Sequence, residues 1–261
     1  MRKYVLFQMT EPLRQSLISQ HIFYVEQAQA RLLLQFSELN TKESAEQLIN
    51  SWMKENQYRF NPGFHDEGDF YAEACERYHA LLNLGNQTRL SVVSGLYHEW
   101  DKQFRQWLVD EIEHLCSSEQ LKNAIWKANS GELAELMKSV GWDWNEQPYY
   151  QVIDACRLVV NVYKHGDGPS IKTLRAQYPK YLVDEFARTT LTSSDLFYRP
   201  LNYTHLKIND AHIQAFSDAI VAFWNDVPDS IHDNQDLSPP AWFSKARLKQ
   251  DSTLEKPAAH G

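Results

Sequence analysis

Along most of this chain apolar residues recur at intervals of three and four, the spacing of one buried face of a helix. Leu13, Leu17, Phe23, Ala28, Leu32 and Phe36 continue such a pattern from Pro12 almost unbroken to position 36. A second helix is predicted from about Lys42 to Tyr58, behind the capping residue Thr41. The turn-rich run "NPGFHDEGD" then breaks the period and predicts a loop, with Asp69 as the cap of the next helix. That helix covers 70–84 and is expected to close at Gly85. The longest stretch follows over 86–115, where Val93, Leu96, Tyr97, Trp100, Phe104, Trp107 and Leu108 share a face. Gly95 sits inside it, at a cost of about 1 kcal/mol, and marks close packing against a neighbouring helix.

Two shorter helices are predicted over 117–128 and 130–141 with serine caps, the second a lone Ser130 without a capping box. After the turn "WDWNEQP" a helix spans roughly 149–165, and a short one beyond it stops at Pro179. Alternation in "THLKI" predicts one short strand at 204–208. A helix over 209–224, capped by Asn209 or Asp210, carries apolar residues at 213, 216, 219, 220 and 223. The expected fold class is therefore all-α: a single helical domain over 1–226, followed by a polar, flexible tail over 227–261.

Composition changes this picture in a few respects. Only 9 Gly in 261 residues argues against glycine-rich nucleotide loops, and no Walker-type loop, HExxH or G-x-S-x-G occurs. A formal net charge of −8 disfavours a protein that coats nucleic acid, so any RNA contact has to be local. Cys75, Cys116 and Cys156 lie far apart in apolar helical patterns and are expected as reduced core thiols. The N-terminal apolar run ends at Phe7, short for a signal peptide, and no apolar run is long enough to span a membrane. A cytoplasmic protein is the expectation. The "HDEGD" run has metal-friendly residues, but five adjacent loop positions give poor ligand geometry, so neither metal nor other cofactor is expected.

The candidate chemistry lies in "RLVVNVYKHGDG", residues 157–168. On a wheel with Ile153 at zero, Asp154, Arg157, Asn161, Lys164 and His165 fall between roughly 20° and 120°, and apolar residues fill the much wider remainder. So narrow a polar stripe on an enclosed helix points to a cleft or a partner, and Gly166 supplies a left-handed cap. Arg and Lys bind phosphate, and His moves protons near neutrality. With the 2′-hydroxyl of RNA as nucleophile, those three suffice for cleavage without metal. The plainer alternative is that Arg157 pairs with Asp154 and His165 only decorates the helix end.

The segments "RLSVVSGLYHEWDKQFRQWL" (89–108) and "CRLVVNVYKHGDGPS" (156–170) resemble a group of bacterial helical proteins with LYH-x-W-[DE] and RL-x-x-N-x-x-KHGDG helices. Those in turn resemble divergent members of the HEPN superfamily. The resemblance implies a helical-bundle core over about 69–170 and a homodimer. It further implies a metal-independent endoribonuclease in a toxin–antitoxin or anti-phage defence setting, with an antitoxin or defence-system protein as partner. Arg157 would hold the scissile phosphate of RNA, Asn161 the intervening polar position, and His165 the acid/base role. Lys164, Glu99 and His98 are the candidate substrate-binding residues, Glu99 by crossing to Arg157 or Lys164 and orienting them; the plainer reading of His98 is an exposed or boundary residue. Seven residues separate Arg157 from His165, one more than the family pattern, and Leu158 follows the Arg where that pattern has a polar residue. The departure leaves open a non-catalytic module that binds nucleotide, RNA or a partner protein.

Overall fold

In the computed structural model, residues 5–37, 39, 41–61, 66–115, 118–182, 202–232 and 238–254 are described. The fold is all-α, with one short two-stranded sheet among the described residues. The chain packs as two compact units. The first takes in 1–22, 96–157 and 215–261, and the second 23–95 and 158–214.

Strand β1 (Val5–Gln8) leads into α1 (Glu11–Ala28), which continues as a π-helical turn and a 3-10 turn to Phe36. Helix α2 (Lys42–Asn56) is capped by Thr41, whose hydroxyl accepts from Ser44 N at 3.1 Å. Then α3 (Glu67–Leu115) runs unbroken for 49 residues. Two expectations change here. Gly85 does not end a helix: a Cβ on it would lie 3.2 Å from the Phe36 ring, so glycine lets the helix approach that ring. The helix also starts before Asp69, because the Asp66 side chain takes the capping bond, from Gly68 N at 2.6 Å. Gly95 does pack tightly, with the Tyr24 hydroxyl where a Cβ would stand.

Helix α4 (Glu119–Lys127) is capped by Ser118. Helix α5 (Ser130–Ser139) is capped by Asn129 rather than Ser130, and Asn129 forms a full capping box with Glu132. Both helices belong to the first unit, as does α6 (Tyr150–His165) as far as Arg157. Helix α7 (Pro169–Gln177) ends before Pro179. Region 204–208 holds a 3-10 turn, Tyr203–His205, and a single bridge between Leu206 and Leu182. Asn209 caps α8 (Asp210–Asp226), accepting from His212 N at 2.9 Å, and its residues Ile213, Phe216, Ala219, Ile220 and Phe223 are all buried.

The segment from 227, expected as a polar tail, carries strand β2 (Ser230–His232) and helix α9 (Ala241–Leu254). β2 pairs antiparallel with β1, setting Phe7 opposite Ile231, and both side chains are buried. Arg14 secures the same segment: its guanidinium is buried and donates to Trp224 O, to Val227 O at 2.8 Å and to Asp229. α9 packs on α4.

The core of the first unit is an aromatic cluster. Trp100, Phe104, Trp142, Trp144, Phe223 and Trp224 meet at centroid distances of 4.9 to 6.5 Å. Its charged support is the buried Arg105, which grips Asp101 at 2.8 Å and the carbonyls of Ile125 and Ala128 at 2.6 and 2.7 Å. The second unit has an aliphatic core instead, with Val93, Val159, Val162, Leu174 and Ile213 each fully enclosed. Among the described residues no helix is long and apolar enough to cross a membrane.

Candidate functional sites on and around helix α6

Helix α6 has the face distribution that its sequence predicts. Cys156, Leu158, Val159, Val160 and Val162 are buried, Asp154, Arg157 and Asn161 half-buried, and Lys164 and His165 exposed. Gly166 closes it at φ +67°, the left-handed conformation for which glycine is suited. The polar stripe does not act as one group, however. Arg157 donates through Nη2 and Nε to Asp154 Oδ1, at 2.6 and 3.0 Å. This ion pair, one turn back on the same helix, holds the guanidinium towards the N-terminal end. His165 lies eight residues on, about 12 Å along an α-helix. Arg157 closes its segment of the first unit, and Asn161, Lys164 and His165 belong to the second.

Glu99 and His98 both lie on α3. Glu99 is exposed and pairs with Lys102 at 3.5 Å on its own helix. His98 is half-buried, its ring 5.8 Å from that of Tyr97 and edge-on. His65 of the acidic loop and Cys116 lie outside the described residues. Among the described residues no three His, Cys, Asp or Glu are grouped to hold a metal ion. Cys156 is a buried free thiol whose pKa burial pushes up, while Cys75 is half-buried.

Arg157 and Asp154 instead edge a small recess within the first unit, with about 30 Å³ of free space inside. Tyr97 and Trp100 of α3, Trp144 and Tyr149 of the turn before α6, Tyr150 of α6 and Phe223 of α8 form the walls. Ser130 and Ile153 complete them. Asp226 fixes one side, accepting from Tyr149 Oη at 2.7 Å and from Trp142 Nε1 at 2.8 Å. Burial, then the bond to Asp226, raises the Tyr149 hydroxyl pKa. Burial, with the Asp101 charge, likewise raises that of Tyr97. These two phenols stay neutral donors. The indole Nε1 groups of Trp100 and Trp144 are buried without a hydrogen-bond partner. Sequence reasoning passed over this recess; the signal was the crowding of two Trp and two Tyr into residues 142–150, aromatic density that a mere turn does not need.

The second unit carries a different feature. In its described residues from 158 to 214, five lysines and arginines stand against two aspartates, and one of these, Asp210, is bound to Arg89 at 2.7 Å. Lys164, Lys172, Arg175, Lys180 and Lys207 are all exposed. Lys207 N donates to Tyr181 O at 2.9 Å, and Lys180 Nζ lies 5.0 Å from the Tyr181 ring centre. The Tyr181 ring meets that of His212 at 4.8 Å, and burial together with Lys180 lowers the His212 pKa. Tyr203, 48% exposed, sets its ring edge 3.8 Å from the position a Cβ would take on Gly166. The Tyr203–Lys207 segment thus links the cationic end of α6 to the Lys180 turn.

A Ser–His contact lies deeper in the first unit. His21 Nε2 is 3.0 Å from Ser217 Oγ, and both residues are buried, so no substrate reaches them. Neither family models, characterised proteins nor solved structures give a match to this chain. The HEPN resemblance therefore rests on its two sequence segments.

Proposed function

We propose that this chain is an RNA-binding helical protein whose contact face is the basic rim of its second unit. The observation that carries the reading is the exposed Tyr203 ring against Gly166, between the cations ending α6 and those at Lys180 and Lys207. An aromatic face accepts any base, at about 1–3 kcal/mol per stacked base, while neighbouring cations neutralise phosphates. The net charge of −8 confines the contact to that rim by repelling RNA elsewhere. The test is anisotropy of a labelled single-stranded RNA at low salt with EDTA present. The double variant Lys180→Glu, Lys207→Glu should weaken binding more than tenfold and flatten its salt dependence, and Tyr203→Ala should weaken it about tenfold. Wild-type protein that fails to bind at low salt, or variants that bind as wild type does, would refute the reading.

A second reading is the metal-independent endoribonuclease of HEPN type. The observation favouring it is His165, exposed beside Lys164 at the end of α6 and within that rim. RNA supplies its own 2′-hydroxyl, so the protein needs only a proton carrier and a cation at the phosphate. Arg157 would have to release Asp154 to serve there, and Lys164 is nearer in sequence. The resemblance adds a homodimer, a toxin–antitoxin or anti-phage setting and an antitoxin or defence-system partner. Cleavage in EDTA that His165→Ala abolishes, with toxicity on expression, supports this reading. Binding without turnover selects the first.

A further inference from the structure

From the bonds around Lys207 we infer a positioning residue for the proposed RNA face: Asn86 of α3, whose carboxamide sets where Lys207 and Tyr203 stand. The inference rests on the RNA reading and names the residue that presents its arm. Leu206 and Ile208 are buried, so their side chains turn inward and that of Lys207, between them, turns out. The backbone is held from both sides at this point. On one side Lys207 N donates to Tyr181 O at 2.9 Å, beside the bridge between Leu182 and Leu206. On the other, Asn86 Nδ2 donates to Leu206 O at 2.8 Å, and Asn86 Oδ1 accepts from Ile208 N at 3.1 Å. One side-chain amide thus takes the place of a neighbouring strand, pairing the carbonyl before Lys207 and the N–H after it.

Asparagine is a poor helix former, yet α3 carries this one well inside its length. Its double bond to the segment explains why. An apolar side chain there would make neither bond, and a carboxylate would accept from Ile208 N but repel Leu206 O. One turn further along α3, buried Arg89 binds Asp210 at 2.7 Å, so the same helix ties the chain again just beyond Ile208. The 3-10 turn that precedes Leu206 carries the Tyr203 ring to Gly166 at the end of α6. What the ties leave outside is the pair that RNA would meet, the Tyr203 ring and the Lys207 ammonium. Both are in place before RNA arrives, so binding does not carry the cost of ordering them.

The test is a double-mutant cycle on the full chain, read by anisotropy of the labelled single-stranded RNA at low salt. Asn86→Ala removes both bonds, adds no bulk and suits a helix better. Asn86→Ser is a second variant, whose short hydroxyl cannot span both groups. Each should weaken RNA binding about tenfold and lower the salt slope by about one phosphate contact. In the background Tyr203→Ala, Lys207→Ala the same changes should alter affinity less than about twofold, because the arm they position then carries nothing. A second readout needs no RNA. The Tyr203 ring edge lies 3.8 Å from the position of a Gly166 Cβ, so its ring current displaces the Gly166 NMR signals. That displacement should shrink in both Asn86 variants and vanish in Tyr203→Ala. Wild-type protein that binds no RNA overturns the RNA reading and leaves Asn86 a holder of the arm only, which the Gly166 signals report. The inference itself is overturned if wild type binds RNA and the folded Asn86 variants bind as tightly, if their losses add in full to those of the arm background, or if the Gly166 signals stay where they are.

Discussion

Acid should destabilise the first unit through one residue, His21. Its ring is 6% exposed, its Nε2 meets Ser217 Oγ at 3.0 Å, and burial lowers its pKa from 6.5 to about 4 against the weaker pull of Ser217 and Asp218. The sign follows from which state binds the proton. Above pH 6.5 the ring is neutral in both folded and unfolded chains and no penalty arises. Between pH 6.5 and 4 the unfolded chain takes up a proton that the folded chain refuses, so stability falls as pH falls. Below about pH 4 both states are charged and the loss stops growing. At 1.36 kcal/mol per unit, the loss is about 1.4 kcal/mol at pH 5.5 and about 2.5 kcal/mol at pH 4.5. Carboxylates titrate over the lower part of that range, so the measurement is a difference. Urea unfolding of wild type and of His21→Gln would be followed by circular dichroism at pH 7.5, 5.5 and 4.5. Glutamine keeps a hydrogen-bonding group near Ser217 and cannot titrate. The stability gap should move in favour of the variant by those amounts as pH falls. A gap that stays constant across the three pH values would show that His21 protonates freely in the fold, and the argument from burial would be lost.

Two further outcomes test the packing. Gly95→Ala should destabilise the second unit by about 1–3 kcal/mol despite the better helix propensity of alanine, because its methyl group meets the Tyr24 hydroxyl. Adding Tyr24→Phe should recover part of the loss in thermal melts. If Gly95→Ala alone is neutral or stabilising, the contact is not tight. Arg105→Leu should cost about 3 kcal/mol or more, since it strands Asp101 and the carbonyls of Ile125 and Ala128 that end α4. Hydrogen exchange should rise first around α4, and a uniform rise across the unit would show that Arg105 does not act as its cap.

Helix positions were legible because their periodicity is set locally, whereas ends and partners depend on residues distant in sequence. The buried face of α3 from Val93 to Leu108 and that of α8 follow from spacing alone. Gly85 misled because a glycine after an apolar run looks like a C-cap, and only the Phe36 ring beside it explains its place inside a helix. Ser130 drew the cap from Asn129 because the Asn-Ser-Gly-Glu run offers two caps in sequence, and the reciprocal bond from Asn129 N to Glu132 decides between them. Residues beyond 227 read as tail because β2 is three residues long and has no period to detect; β1 and Arg14, more than 200 positions earlier, give it structure.

The stripe on α6 shows the same limit at the level of chemistry. A helical wheel sums polar residues by angle and is blind to the bonds among them. Asp154 and Arg157 fall in the same narrow sector, and at i, i+3 they satisfy each other. On a half-buried face that pairing is what keeps both charges tolerable, so a narrow stripe is as much a sign of self-neutralisation as of a cleft. What distinguishes the two is whether the charged groups have a spare valence facing open space. Arg157 meets that condition only at the mouth of the aromatic recess, next to Asp154, where it adds no net charge. Lys164 and His165 meet it at the other end, on an exposed turn closed by Gly166. One helix therefore contributes Asp154 and Arg157 to the aromatic recess of the first unit, and Lys164 and His165 to the exposed cations of the second.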